Sequence, residues 1–115
     1  MSFQLALVQL LVSCNKQQNL KRAAEMVSIA AKKGANVVVL PECFNSPYGV
    51  DYFNEYAEEL QGETAKALSN MAKESRIYLI GGSFPERQQV KLFNTCTIWN
   101  KEGELIGTHR KVLYI

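Results

Sequence analysis

Histidine is nearly absent from this sequence, and its few cysteines follow no pairing pattern. The one histidine is His109, and the three cysteines are Cys14, Cys43 and Cys96. An odd number at wide spacing does not make a disulfide framework. No Cys-x-x-Cys occurs, so no zinc site is indicated. A Cys-His catalytic pair would have to use His109, and nothing in the sequence sets it beside a cysteine. No apolar run approaches the ~20 residues that span a bilayer. The net charge is small as well: 13 Lys and Arg against 11 Asp and Glu leave a formal +2, with Lys and Arg spread along the chain. That gives no argument for a nucleic-acid or anionic-membrane partner. The first ten residues carry no basic n-region and read as a strand, so no secretory signal is expected. Reduced thiols in a cytoplasmic compartment are the corresponding expectation, with the mitochondrion as the alternative.

What is present has the balance of an ordinary globular domain, 47% hydrophobic and 21% charged over 115 residues, enough for one modest core. Phe3 to Leu11 is mostly apolar and reads as a buried strand. Asn15 is a candidate N-cap. From Lys16 to Lys33, Leu20, Ala23, Ala24, Val27, Ala30 and Ala31 recur at helical spacing, and Gly34 follows as a natural stop. Val37-Val38-Val39-Leu40 suits a strand buried on both faces. Strand, helix and strand make a right-handed βαβ unit. A short helix is expected within Tyr52–Leu60, with Glu55, Glu58 and Glu59 on a solvated face. A further helix, from Gly62 to Arg76, places Ala65, Leu68, Met71 and Ala72 on one side. Ile77 to Pro85 reads as a strand whose Gly81-Gly82 pair allows close backbone approach. The GxGxxG spacing of a phosphate loop is missing. Glu86 to Gln89 reads as a polar turn. Leu92–Trp99, Asn100–Gly103 and Glu104–Lys111 form a hairpin. The fold class is therefore α/β with a mixed sheet.

Two residues could carry chemistry. Pro41 ends the Val37–Leu40 strand, and Glu42 follows it, just past the carboxyl end of a buried strand, where open α/β sheets bind ligands. The loop after it, Phe44-Asn45-Ser46-Pro47-Tyr48-Gly49, is aromatic and rich in turn formers. An acid held there suits a general base. The plain alternative is a surface acid. Lys111 ends the return strand of the hairpin. A lysine near that acid would keep it ionised and bind a developing oxyanion. Taken alone, Thr108-His109-Arg110-Lys111 reads as a solvated basic strand end. Cys43 should point away from whatever Glu42 faces, because neighbours on an extended segment alternate. Cys14, Cys43 and Cys96 all read as small buried hydrophobes.

Several segments occur in a familiar order. They are Leu5–Leu10, Gly34-Ala35, Leu40-Pro41-Glu42-Cys43-Phe44-Asn45-Ser46-Pro47-Tyr48-Gly49, Gly81-Gly82-Ser83, Leu92-Phe93-Asn94-Thr95, Gly103 and His109-Arg110-Lys111. Together they resemble the nitrilase superfamily of carbon–nitrogen hydrolases, and within it the omega-amidase branch, which acts on monoamides of 2-oxo-dicarboxylic acids. The resemblance runs from residue 3 to residue 111. It implies an α-β-β-α sandwich, of which this chain would be a part, and a Glu-Lys-Cys active site working without metal or cofactor. Glu42 matches the general base and Lys111 the lysine that stabilises the tetrahedral intermediate. Tyr48 would lie near a small-molecule amide substrate. The family's nucleophilic cysteine comes some tens of residues after the lysine, so residues 1–115 are expected to hold the N-terminal part of the domain without it, and to be inactive alone. The family commonly has a histidine two residues after the lysine, where this chain has Leu113. Homo-oligomers are usual in the family. The competing expectation is a non-catalytic partial domain that associates with other subunits.

Overall fold

The computed structural model describes residues 2–112. In chain order they form β1 (Leu5–Leu7), α1 (Lys16–Lys32), β2 (Val37–Val39), α2 (Val50–Tyr56), α3 (Glu63–Ser75), β3 (Tyr78–Ile80), β4 (Phe84–Gln88), β5 (Lys91–Trp99) and β6 (Leu105–Val112). All six strands belong to one mixed sheet. β1 pairs parallel with β2, and β2 parallel with β3, with Leu5, Val37 and Tyr78 in register. β5 runs antiparallel to β3, β4 and β6. The βαβ unit and the hairpin thus share a sheet, as the sequence pattern predicts. The position two after Lys111, Leu113, lies outside the described residues. Among those described, no helix is long and apolar enough to cross a membrane.

The helices form where their signals stand. Asn15 Oδ1 accepts the Gln18 N–H at 2.9 Å and caps α1. Leu20, Ala23 and Val27 of α1 and Leu68, Met71 and Ala72 of α3 pack with Val38, Leu79 and Trp99 in a single core. Side chains alternate across a strand, so that core uses one face of the sheet only. On the other face Val37 and Val39 are half-buried, and Leu5 and Leu7 are 55% and 73% exposed. The expectation of strands buried on both faces fails for this reason: among the described residues, both long helices pack on the same side.

Other differences come from buried polar groups. Glu86 sits inside a strand, β4, and the turn moves to Gln89, at φ 57°. The acid is tolerated there because Thr95 Oγ1 donates to its Oε1 at 2.6 Å and Arg110 Nε at 2.7 Å. The expected Ile77–Pro85 strand divides into β3 and β4 at Gly81-Gly82-Ser83. Glu58 is not solvated either. Lys16 Nζ lies 2.8 Å from its Oε2, and Thr64 donates its N–H and Oγ1–H to the carboxylate, both at 2.7 Å.

The glycine pair positions the end of β2. Gly82 has φ 61°, and a Cβ there would lie 2.1 Å from the Pro41 carbonyl oxygen and 2.8 Å from that of Leu40. Only glycine avoids both the left-handed penalty and the clash. Gly82→Ala is expected to destabilise the chain by about 2–4 kcal/mol, from the left-handed backbone cost plus overpacking against atoms that cannot rotate away. Denaturant unfolding of the two proteins checks it; equal midpoints would show that the crossing is looser than this. The open sheet face generates a second expectation. Exposed Leu5 and Leu7 drive self-association of the 115-residue chain, so sedimentation should give an average mass that rises with concentration and falls in Leu7→Lys. A concentration-independent monomer would count against it.

Candidate active site

Glu42 is set by the turn that carries it. The Leu40 N–H still donates to Ile80 O at 3.0 Å, and the chain then leaves the sheet. The Cys43 N–H donates to Ser83 Oγ at 2.9 Å, and the Phe44 N–H to Ser83 O at 3.3 Å. Cys43 takes φ 52°, a conformation uncommon for a residue with a side chain and one that collects at functional sites. From behind, the turn is tied to the helices. Asn45 Nδ2 donates to Thr64 Oγ1 at 2.9 Å, and Asn19 Nδ2 donates to Asn45 O at 3.0 Å. The Glu42 backbone is thus held on a short rigid arc, with its side chain on the open sheet face.

That face holds a hollow of about 250 Å³ lined by Glu42, Gly82, Ser83, Asn94, Cys96, His109 and Lys111. The two residues predicted to carry chemistry, distant in sequence, meet on its wall. Strand alternation explains how. Asn94 pairs in register with Lys111, and Cys96 with His109, so all four project from one face. Arg110, between the two β6 members, turns to the other face and meets Glu86 there. The basic run is therefore divided, and only His109 and Lys111 serve the hollow. Glu42 and Lys111 are not ion-paired; the ion pairs among the described residues are Lys16–Glu58 and Arg110–Glu86.

The remaining predicted residues fall differently. Tyr48 is 72% exposed and is not on the hollow's wall. Cys43 is buried and also absent from the wall. It avoids the hollow through a tight turn, not through the extended alternation argued from sequence. Burial first, and then the neighbouring Glu42 charge, push its thiol up to about 11, so at neutral pH it is a poor nucleophile. Cys14 and Cys96 are corrections to the reading as small buried hydrophobes: Cys14 is exposed, and Cys96 is half-buried on the hollow's wall opposite His109. Burial raises its thiol as well. Asn94 carries no charge and drew no attention as a site residue, yet its Nδ2–H donates to Glu42 Oε2 at 2.8 Å. Period-two counting along Asn94, Cys96 and Ile98 is the signal that would have found it. No cluster of three His, Cys, Asp or Glu side chains suited to a metal occurs among the described residues. The arrangement sets a carboxyl group and an amine on the wall of one hollow. A carbonyl there would have a base and an oxyanion partner at once.

Known proteins resemble this chain along nearly all of its described length. The carbon–nitrogen hydrolase family model matches residues 4–115. The omega-amidase NIT2 of Mus musculus is 57% identical over 111 residues, and that of Homo sapiens 52%. Each alignment takes in 96% of this chain and 40% of the relative. The chain thus spans about two-fifths of the length of these curated relatives. Among solved structures, Saccharomyces cerevisiae Nit3, a member of branch 10 of the nitrilase superfamily, superposes with a TM-score of 0.79. It is 40% identical, and the superposition covers 89% of this chain and 41% of Nit3. An N-terminal amidase at 20% identity shares the fold, with a TM-score of 0.80 over 97% of this chain and 28% of its own. With its fold and nearly all its length matched, the chain belongs to the carbon–nitrogen hydrolase family of the nitrilase superfamily.

Proposed function

We propose that the protein serves an omega-amidase reaction, hydrolysing the amide of a 2-oxo-dicarboxylic acid monoamide such as 2-oxoglutaramate or 2-oxosuccinamate to the acid and ammonia. The observation that carries this reading is the meeting of Glu42 and Lys111 on one hollow; the identity to NIT2 relatives supports the substrate class. In the reaction Glu42 takes the proton of a cysteine thiol. The thiolate sulfur bonds to the amide carbon, and Lys111 holds the oxyanion that forms. Glu42 gives its proton to the departing nitrogen as the C–N bond breaks. It then takes a proton from water, whose oxygen displaces the thiolate and releases the acid. No metal or organic cofactor enters. The nucleophile belongs to a part of the family fold that follows the lysine. Residues 1–115 alone are therefore assigned half a site and no turnover. The proposal extends to a cytoplasmic homo-oligomer with a small-molecule amide as its partner and neither nucleic acid nor membrane. The open face bearing Leu5 and Leu7 favours a second reading of the 115-residue chain by itself, as a non-catalytic domain that docks on other subunits.

The test is ammonia release from 2-oxoglutaramate. The 115-residue chain should give none above the blank, and Glu42→Gln or Lys111→Ala should change nothing in it. A joined protein, in which residues 1–111 replace the matching segment of mouse NIT2, should turn over. Either substitution in that protein should lower kcat by about 100-fold or more. A folded joined protein without activity, or one indifferent to both substitutions, overturns the role assignments. A rate in the 115-residue chain abolished by either substitution overturns the placement of the nucleophile elsewhere.

A further inference from the structure

One polar atom beside the hollow is buried without a partner. Asn94 lies within β5 and is 8% exposed. Its Nδ2–H donates to Glu42 Oε2 at 2.8 Å. An ionised carboxylate only accepts, so this bond fixes which end of the amide faces Glu42. Oδ1 is then left over, and it is buried without a partner. A buried acceptor in that condition forfeits its hydration and gains nothing in return. Two other donors line the hollow. Ser83 Oγ receives the Cys43 N–H and keeps one neutral O–H of its own, and His109 stands opposite Cys96, two residues along the strand. Lys111 is the residue directly across from Asn94. On one sheet face such a pair has its Cβ atoms roughly 5 Å apart. Lys111 is exposed, and it brings three donors on a flexible four-carbon stem.

We propose that Asn94 is the positioning residue of this site, its amide N–H fixing the Glu42 carboxylate while its Oδ1 takes an N–H of the Lys111 ammonium. One neutral side chain then spaces the base from the cation. A direct Glu42–Lys111 pair would spend the carboxylate's lone pairs and the ammonium's protons on each other. The bridge leaves Glu42 Oε1 open to a proton and two ammonium protons open to an oxyanion, and both bridging bonds are of the stronger, charge-assisted kind. The catalytic purpose of this bridge rests on the function proposed above; its existence does not.

The experiment therefore begins with the 115-residue chain and a readout that needs no turnover. In ¹⁵N-labelled protein, hydrogen exchange of the Lys111 ammonium protons should be at least about tenfold slower than that of Lys101, whose ammonium has no such acceptor assigned. Asn94→Leu should remove the difference and leave the backbone amide spectrum in place. Asn94→Asp, which keeps an acceptor for the ammonium, should preserve it. Equal exchange at Lys111 and Lys101 in the unsubstituted chain overturns the bridge without any variant having to fold. So does protection that survives Asn94→Leu. In the joined protein, Asn94→Leu should lower kcat by about 100-fold with KM changed only a few-fold, because misplacement of reacting groups acts on the transition state. An unchanged kcat overturns the positioning role. If the joined protein proves inactive with Asn94 in place, the fault lies with the proposed function, and the exchange measurement still decides the bridge.

Discussion

The site depends on one backbone crossing. Where the chain leaves β2, the Pro41 carbonyl passes so close over Gly82 that a methyl group at residue 82 would sit 2.1 Å from its oxygen. The place of Glu42 on the open face follows from that approach. It brings Ser83 near enough to receive the Cys43 N–H through its hydroxyl and the Phe44 N–H through its carbonyl. Those two bonds fold residues 42–44 into a turn, and the turn aims Glu42 at β5 and β6. A glycine at positive φ costs conformational entropy on folding, and here that cost is offset by the fixed position of a carboxylate.

A second constraint acts from the covered side. The Glu58 carboxylate gathers Lys16 from α1 and the N-terminus of α3, and Thr64 passes the chain of bonds on to Asn45 in the turn. Its charge-assisted bonds run largely out of water, where they are stronger than at an open surface. The turn is therefore gripped on one side by the glycine crossing and on the other by a polar network that also joins the two long helices. Catalytic geometry needs support of this kind, since a reacting group placed an ångström away loses most of its effect.

Much of this was legible in the residues, and the failures have a common cause. The βαβ unit, the Asn15 cap and the hairpin were read from local pattern, because hydrophobic periodicity and caps act within a few residues. Close approach at Gly81-Gly82 was also read correctly, since few other uses suit a glycine pair in a strand. Glu58 was misread as solvated and Glu86 as part of a polar turn, because burial of an acid depends on distant partners: Lys16 and Thr64 for one, Thr95 and Arg110 for the other. Asn94 was missed for the same reason. Its partner is Glu42, and only the packed sheet brings the two together. Tyr48 was placed near the substrate by the family resemblance; in the fold it is largely in solvent and off the hollow's wall.

The division of the sheet into two faces ties the fold to the chemistry. Alternation along β6 sends Arg110 to the side of the helices, where Glu86 neutralises it, and sends His109 and Lys111 to the open side. Alternation along β5 sends Thr95 to Glu86 and sends Asn94 and Cys96 to the hollow. Two adjacent basic residues thus acquire different surroundings: one pairs with a buried acid and the other lines the hollow. A one-residue slip between these strands would exchange the surroundings, placing Lys111 against the core and Arg110 in the hollow. The Glu86–Arg110 pair favours the observed register, because Arg110 bonds both carboxylate oxygens through its planar fork and a slipped Lys111 would offer only a point charge there. The ion pair on the helical side therefore supports the register that places Lys111 on the other face. This is a structural reason for a buried charge pair in a strand whose outward neighbours carry the site.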